Sequence, residues 1–164
     1  MIAEAHLIIA LVSIQRIIEL IIANKNTKTL LNDGAIEYGS RHYPLFIILH
    51  STWLLSIAIL TPIDTSVNYV LLSVFVLLQI GRIWIISSLG KFWTTRIIRL
   101  HNVPLIQKGP YRWIKHPNYI IVSFEILILP LVFNQLILAL LFSILNFLLL
   151  YWRIKIENMA LNKL

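Results

Sequence analysis

Five runs of apolar residues, separated by short polar segments, constrain this chain more than any other feature. A helix needs roughly 20 mostly apolar residues to cross a hydrocarbon layer, and residues 5–23, 45–60 and 67–88 meet that requirement. A fourth and a fifth run lie between Tyr119 and Trp152 and meet at Phe133, Asn134 and Gln135. Pro130 breaks the fourth, which is short, so the last two runs predict a tilted or incompletely spanning helical hairpin. With 59% hydrophobic residues, the chain reads as an all-α, polytopic integral membrane protein of about five transmembrane helices, forming a single domain over residues 1–164. The first run has no basic region before it and no small-residue cleavage site after it, and it carries Gln15, Arg16 and Glu19 internally; we expect it to stay in the mature protein.

The charge pattern assigns the loops to sides. When loops alternate across the membrane, twelve of the fourteen Lys and Arg fall on one side, and Arg16 and Arg82 lie inside the apolar runs. Such a split is the positive-inside signature, which predicts an amino terminus outside and a carboxy terminus in the cytoplasm. The net charge of +7 is therefore read as topology and contact with anionic lipid headgroups, with no nucleic-acid partner. The absence of cysteine excludes disulfides, thiolate metal sites and a Cys nucleophile. The five histidines, His6, His42, His50, His101 and His116, show no metal-ligand spacing, so we expect no metal site.

Two polar segments face the basic side. Residues 24–43 read as a connector lying on the headgroups, with Pro44 starting the next helix where proline is best tolerated. Residues 89–118 exceed what a crossing requires, and loops of that length usually carry function or are disordered. Trp93, Tyr111 and Trp113 argue against disorder. An interfacial strip is predicted, partly helical over residues 89–100, then irregular where Pro104, Gly109, Pro110 and Pro117 fall.

Residues 109–119 read Gly-Pro-Tyr-Arg-Trp-Ile-Lys-His-Pro-Asn-Tyr. Each proline holds the residue before it extended, so backbone groups here are left over for a ligand. Tyr111, His116 and Tyr119 add two phenols and an imidazole, and Arg112 and Lys115 add cationic donors. The same composition suits an amphipathic linker whose cations meet lipid phosphate, and both readings stand on residues alone. Position favours a ligand site, because the fourth helix starts here and the fifth returns the chain to the same side at Arg153. Arg153 and Glu157 are four apart on a continuing helix. They form either an ordinary surface pair or, beside the first motif, a substrate or cofactor contact. Within the apolar runs, Arg16 and Glu19 can neutralise each other, whereas Arg82 and Glu125 need a partner from another helix or a polar pocket.

Together these motifs resemble the isoprenylcysteine carboxyl methyltransferase family. Its members carry Gly-Pro-Tyr-Arg, here Gly109, Pro110, Tyr111 and Arg112, then His-Pro-x-Tyr, here His116, Pro117 and Tyr119, and near the carboxy terminus an Arg followed by paired glutamates, here Arg153 and Glu157. The resemblance is strong over residues 89–164, the expected cofactor-binding part, and rests mainly on segment order before that. The His-Pro-x-Tyr element alone is shared with membrane phospholipid N-methyltransferases and with sterol or steroid reductases.

The resemblance implies an S-adenosylmethionine-dependent O-methyltransferase acting on a small lipophilic acceptor. It implies that Leu105 and Ile106 flank the adenosine, that Gly109, Tyr111, His116, Pro117 and Tyr119 hold the cofactor, and that Arg153 and Glu157 sit near the reacting end. Asn158 stands where the family has its second glutamate. An amide is no base, which turns the expectation from a prenylcysteine carboxylate toward an acidic enol or phenol on an alkyl chain, such as an alkylpyrone. The alternatives are a membrane reductase using a nicotinamide cofactor and a non-catalytic membrane binding protein.

Overall fold

The structure, a computed structural model, describes residues 4–161 apart from 102 and 105. Five helices make up the bundle: α1 (Glu4–Asn32), α2 (Tyr43–Leu60), α3 (Tyr69–Leu89), α4 (Pro117–Val132) and α5 (Leu136–Leu161). Four of them are long and apolar enough to span a membrane, and α4 is the shorter apolar helix that Pro130 foreshadows. In lipid the backbone must satisfy its own hydrogen bonds, so such runs fold as helices. On α1, Ala5, Ile9, Val12, Glu19, Ala23, Thr27 and Leu30 are buried, one stripe of a 3.6-residue period, while Ile14, Ile17 and Ile21 face outward. The core is built from Ile9, Trp53, Ile57, Phe75, Ile126, Leu129, Phe133 and Phe142.

The α4–α5 turn forms where Phe133, Asn134 and Gln135 interrupt the apolar sequence. Asn134 adopts φ 59°, a left-handed conformation that asparagine tolerates at a helix end. Asn134 Nδ2 donates to Ser66 O at 3.2 Å and Gln135 Nε2 to Leu60 O at 2.9 Å, tying this turn to the α2–α3 connection. Asn68 caps α3 by accepting from Leu71 N at 3.1 Å, while its own N–H donates to Val132 O at 2.9 Å.

At the opposite, basic end one expectation is corrected and another refined. Residues 24–43 are not merely a connector: α1 continues to Asn32, and Asn26 Nδ2 donates to Trp93 O at 2.9 Å. Asn26 thereby ties the extension to the backbone of residues 90–93, while Lys25 and Lys28 stay exposed. Residues 89–100 are helical only over Leu89 and the 3-10 turn Gly90–Phe92, and then form a strand that the sequence does not announce. Strand β1 (Ile36–Tyr38) pairs antiparallel with β2 (Ile97–Arg99), Glu37 opposite Ile98. Gly90 at φ 53° breaks the helix, and the β-branched run that follows suits extended backbone. Arg96 secures the ribbon, with Nη1 at 3.0 Å from Glu37 Oε1 and its guanidinium 4.4 Å over the Tyr43 ring.

The ionisable groups inside the helices gather in one cluster. Arg16 reaches Glu19 and Glu125, each at 2.9 Å, and Arg82 reaches Glu19 at 2.7 Å and Glu125 at 2.9 Å. Gln15 and Gln79 extend it, Gln79 Nε2 donating to Glu125 Oε1 at 2.9 Å. Two cations thus meet two carboxylates, joining α1, α3 and α4 without net charge.

Candidate functional site

The helical hairpin sets the site's geometry. Tyr119 lies in the first turn of α4 and Arg153 near the end of α5, so the antiparallel turn returns one beside the other. Arg153 Nε donates to the Tyr119 hydroxyl at 2.8 Å, and that hydroxyl donates to Glu157 Oε2 at 2.6 Å. The phenol uses both its acceptor and its donor capacity. Arg153 and Glu157 therefore do not form the i,i+4 pair that their spacing allows; Tyr119 stands between them. The Arg153 guanidinium is buried, lying 5.1 Å from the Phe46 ring and 5.6 Å from the Tyr119 ring.

His116 stacks on Tyr119, centroids 5.1 Å apart and planes 10° apart, with Nδ1 3.5 Å from Glu157 Oε2. Burial lowers its pKa more than the Glu157 charge raises it, and Lys115 lowers it further. The ring is thus neutral at physiological pH, a hydrogen-bonding group and not half of a salt bridge. Burial, aided by the Glu157 charge, pushes the Tyr111 phenol up to about 12, so it remains protonated and able to donate.

These side chains line a cavity of about 530 Å³ between β2, the Gly109–Arg112 3-10 turn, the start of α4 and the end of α5. That size suits a cofactor or drug-sized ligand. Of the residues expected from sequence, Ile106, Tyr111, His116, Tyr119, Arg153 and Glu157 line it. Leu105 lies outside the described residues. Pro117 is buried at the start of α4 and, like Gly109, is absent from the wall.

Gly109 also serves the packing of the turn. At φ 54° a Cβ there would run into the Ser88 hydroxyl and approach Trp84 Nε1 at 3.1 Å. Glycine lets the 3-10 turn lie against the end of α3. Gly109→Ala is expected to lower stability by about 1–3 kcal/mol, read as a fall in the unfolding midpoint in detergent; an unchanged midpoint would mean that Ser88 yields at no cost.

Among the cavity residues that sequence reasoning missed, three carry polar groups of functional interest. Asn118 occupies the variable position of His-Pro-x-Tyr, lines the wall, and has a buried Oδ1 with no partner among the described residues. Its place inside the motif was the available signal. Arg96 and Arg99 arrive through β2, which the sequence does not announce. Asn158, by contrast, accepts from Lys115 Nζ at 2.9 Å and is not on the wall. The consequence for the acceptor drawn from the missing glutamate has no support in this geometry.

Comparison with known proteins agrees with the arrangement. Residues 69–163, which include every wall residue expected from sequence, match the isoprenylcysteine carboxyl methyltransferase (ICMT) family. Over 161 residues, 96% of each chain, the sequence is 38% identical to the protein called "Uncharacterized protein YpbQ" of Bacillus subtilis (strain 168). No solved structure matches.

Proposed function

The chain belongs to the isoprenylcysteine carboxyl methyltransferase family, and from that premise we propose that it transfers a methyl group from S-adenosylmethionine to an oxygen of a small lipophilic acceptor. A prenylcysteine carboxylate and the acidic hydroxyl of an alkylpyrone are the acceptor chemistries in view. The observation that carries this reading is the Arg153–Tyr119–Glu157 chain on the wall of a cavity at the basic end of a membrane bundle. A water-soluble donor and a membrane-borne acceptor must meet at such a boundary, on the cytoplasmic side if the basic loops mark it.

S-adenosylmethionine, when bound, supplies an electrophilic methyl on a sulfonium. The wall fits such a group: Asn118 Oδ1 is an unused acceptor, Tyr111 and neutral His116 are uncharged polar contacts, and Ile106 with Leu89 offers an apolar face. The protein's work is then to orient and to exclude water, since displacement at a sulfonium neutralises charge. Arg153 and Glu157, fixed through Tyr119, border the acceptor side.

Calorimetry on protein in lipid nanodiscs tests this proposal. S-adenosylhomocysteine is expected to bind, and His116→Ala to weaken it by about fivefold, the effect of one lost hydrogen bond. Binding of a nicotinamide cofactor in its place would replace the methyltransferase reading with a reductase.

A further inference from the structure

Building on the proposed transfer to oxygen, we propose that His42 is an acceptor-binding residue: it and the free edge of Arg153 together hold the acceptor's ionised oxygen. His42 lies outside residues 69–163, which match the family, and ends the 3-10 turn Ser40–His42 leading into α2.

The imidazole is 2% exposed, and neither ring nitrogen has a hydrogen-bond partner among the described residues. The Gly39 carbonyl beside it takes His42's own backbone N–H at 3.2 Å and meets neither ring nitrogen in bonding geometry. A buried imidazole with both nitrogens unused is costly and calls for an explanation. The position is also closely fitted. Gly39 is left-handed, at φ 63°, and any Cβ there would collide with the His42 ring and Ile156.

A second unused group shares its surroundings. The His42 ring lies 5.9 Å from Phe46 and 5.8 Å from Trp152, and Arg153, next to Trp152, rests its guanidinium on that same Phe46 ring. Arg153 spends Nε on Tyr119, and no carboxylate among the described residues pairs with its two Nη groups. An Arg153 guanidinium that lines the cavity with no carboxylate on its Nη groups and a buried imidazole without a partner, both against the Phe46 ring, suit one ligand: an oxygen anion accepting from both. An alkyl or prenyl tail lying along the α2–α5 seam passes Trp152, which is 45% exposed, and brings its polar head to the pair.

The pair also accounts for how transfer proceeds without a free base. Glu157, the one carboxylate on the cavity wall, already accepts from Tyr119. An anionic acceptor oxygen forms the new C–O bond with its own lone pair as the donor's S–C bond breaks. No proton has to leave, and the product is a neutral ester or ether.

Octanoate and octanol serve as probes, titrated onto the full chain in nanodiscs with S-adenosylhomocysteine present and empty nanodiscs as control. Octanoate is expected to bind about tenfold tighter than octanol. His42→Phe is expected to lose about tenfold in octanoate affinity with S-adenosylhomocysteine affinity unchanged, and His42→Gln, which keeps an N–H donor, to recover most of it. Equal octanoate affinity in wild type and His42→Phe overturns the inference, as does a His42→Gln loss matching that of His42→Phe. Should His42→Phe fail to fold, His42→Gln against His42→Met gives the same comparison. Loss of S-adenosylhomocysteine binding by the wild type would instead overturn the methyltransferase reading itself.

Discussion

Arg153→Ala is expected to lower the rate of methyl transfer by about 100-fold, while the affinity for S-adenosylhomocysteine changes by less than about threefold. Two contacts are lost together. The Nε donation to Tyr119 at 2.8 Å fixes the phenol that in turn fixes Glu157, and the guanidinium fills the space between the Phe46 and Tyr119 rings. Removing it frees Tyr119 to swing and leaves the acceptor side without its buried cation, whereas His116, Tyr111 and Asn118 stay in place for the cofactor. Arg153→Lys is expected to recover little, because one ammonium cannot bond to Tyr119 and present a second donor edge at once. Single-turnover transfer with a prenylcysteine or alkylpyrone acceptor reads the chemical step apart from binding. A variant with wild-type turnover would take Arg153 out of the reaction; a variant losing affinity for S-adenosylhomocysteine in proportion to rate would make it a cofactor residue instead.

The legible parts of this molecule were those governed by long runs or by chain direction. Apolar length announced α1, α2, α3 and α5, and Asn134 with Gln135 marked the turn that makes α4 and α5 a hairpin. The hairpin alone was enough to bring Tyr119 to Arg153. What direction could not supply was the insertion of the Tyr119 hydroxyl between Arg153 and Glu157, a matter of side-chain reach and not of spacing. The β1–β2 ribbon was illegible for a different reason. Each strand has three residues, too few for an alternation to register, and the partners lie about sixty positions apart in sequence. With the ribbon went Arg96 and Arg99, which reach the cavity only through it. His42 was hidden because a lone histidine at the end of a polar segment has no local pattern; only its burial without a partner sets it apart. Gly109 shows a role that its motif does not announce. Its missing side chain serves the contact with Ser88, which no spacing in the motif reveals.

Glu125→Ala is expected to destabilise the bundle by about 3–5 kcal/mol, the largest stability loss of any single substitution considered for this chain. Arg82 and Glu125 in apolar helices demanded partners, and their meeting with Arg16 and Glu19 explains how α1 is fixed against α3 and α4 in lipid. Hydrophobic burial does not distinguish a neighbouring helix from a lipid tail, so polar contacts take on that role. Removing the Glu125 carboxylate leaves Arg16 and Arg82 sharing Glu19, one uncompensated positive charge within the membrane. The remedy follows from the contacts themselves. Arg82 and Glu19 form a self-contained pair, Nε at 2.8 Å from Oε1 and Nη2 at 2.7 Å from Oε2. Taking away Arg16 together with Glu125, which meet at 2.9 Å, leaves that pair intact and the cluster neutral. The double variant Arg16→Met with Glu125→Gln is therefore expected to be more stable than the sum of its single variants predicts, by at least about 1 kcal/mol. Unfolding of all three variants in mixed micelles measures the coupling, and strict additivity would show that the four charges act as separate surface groups and not as one network.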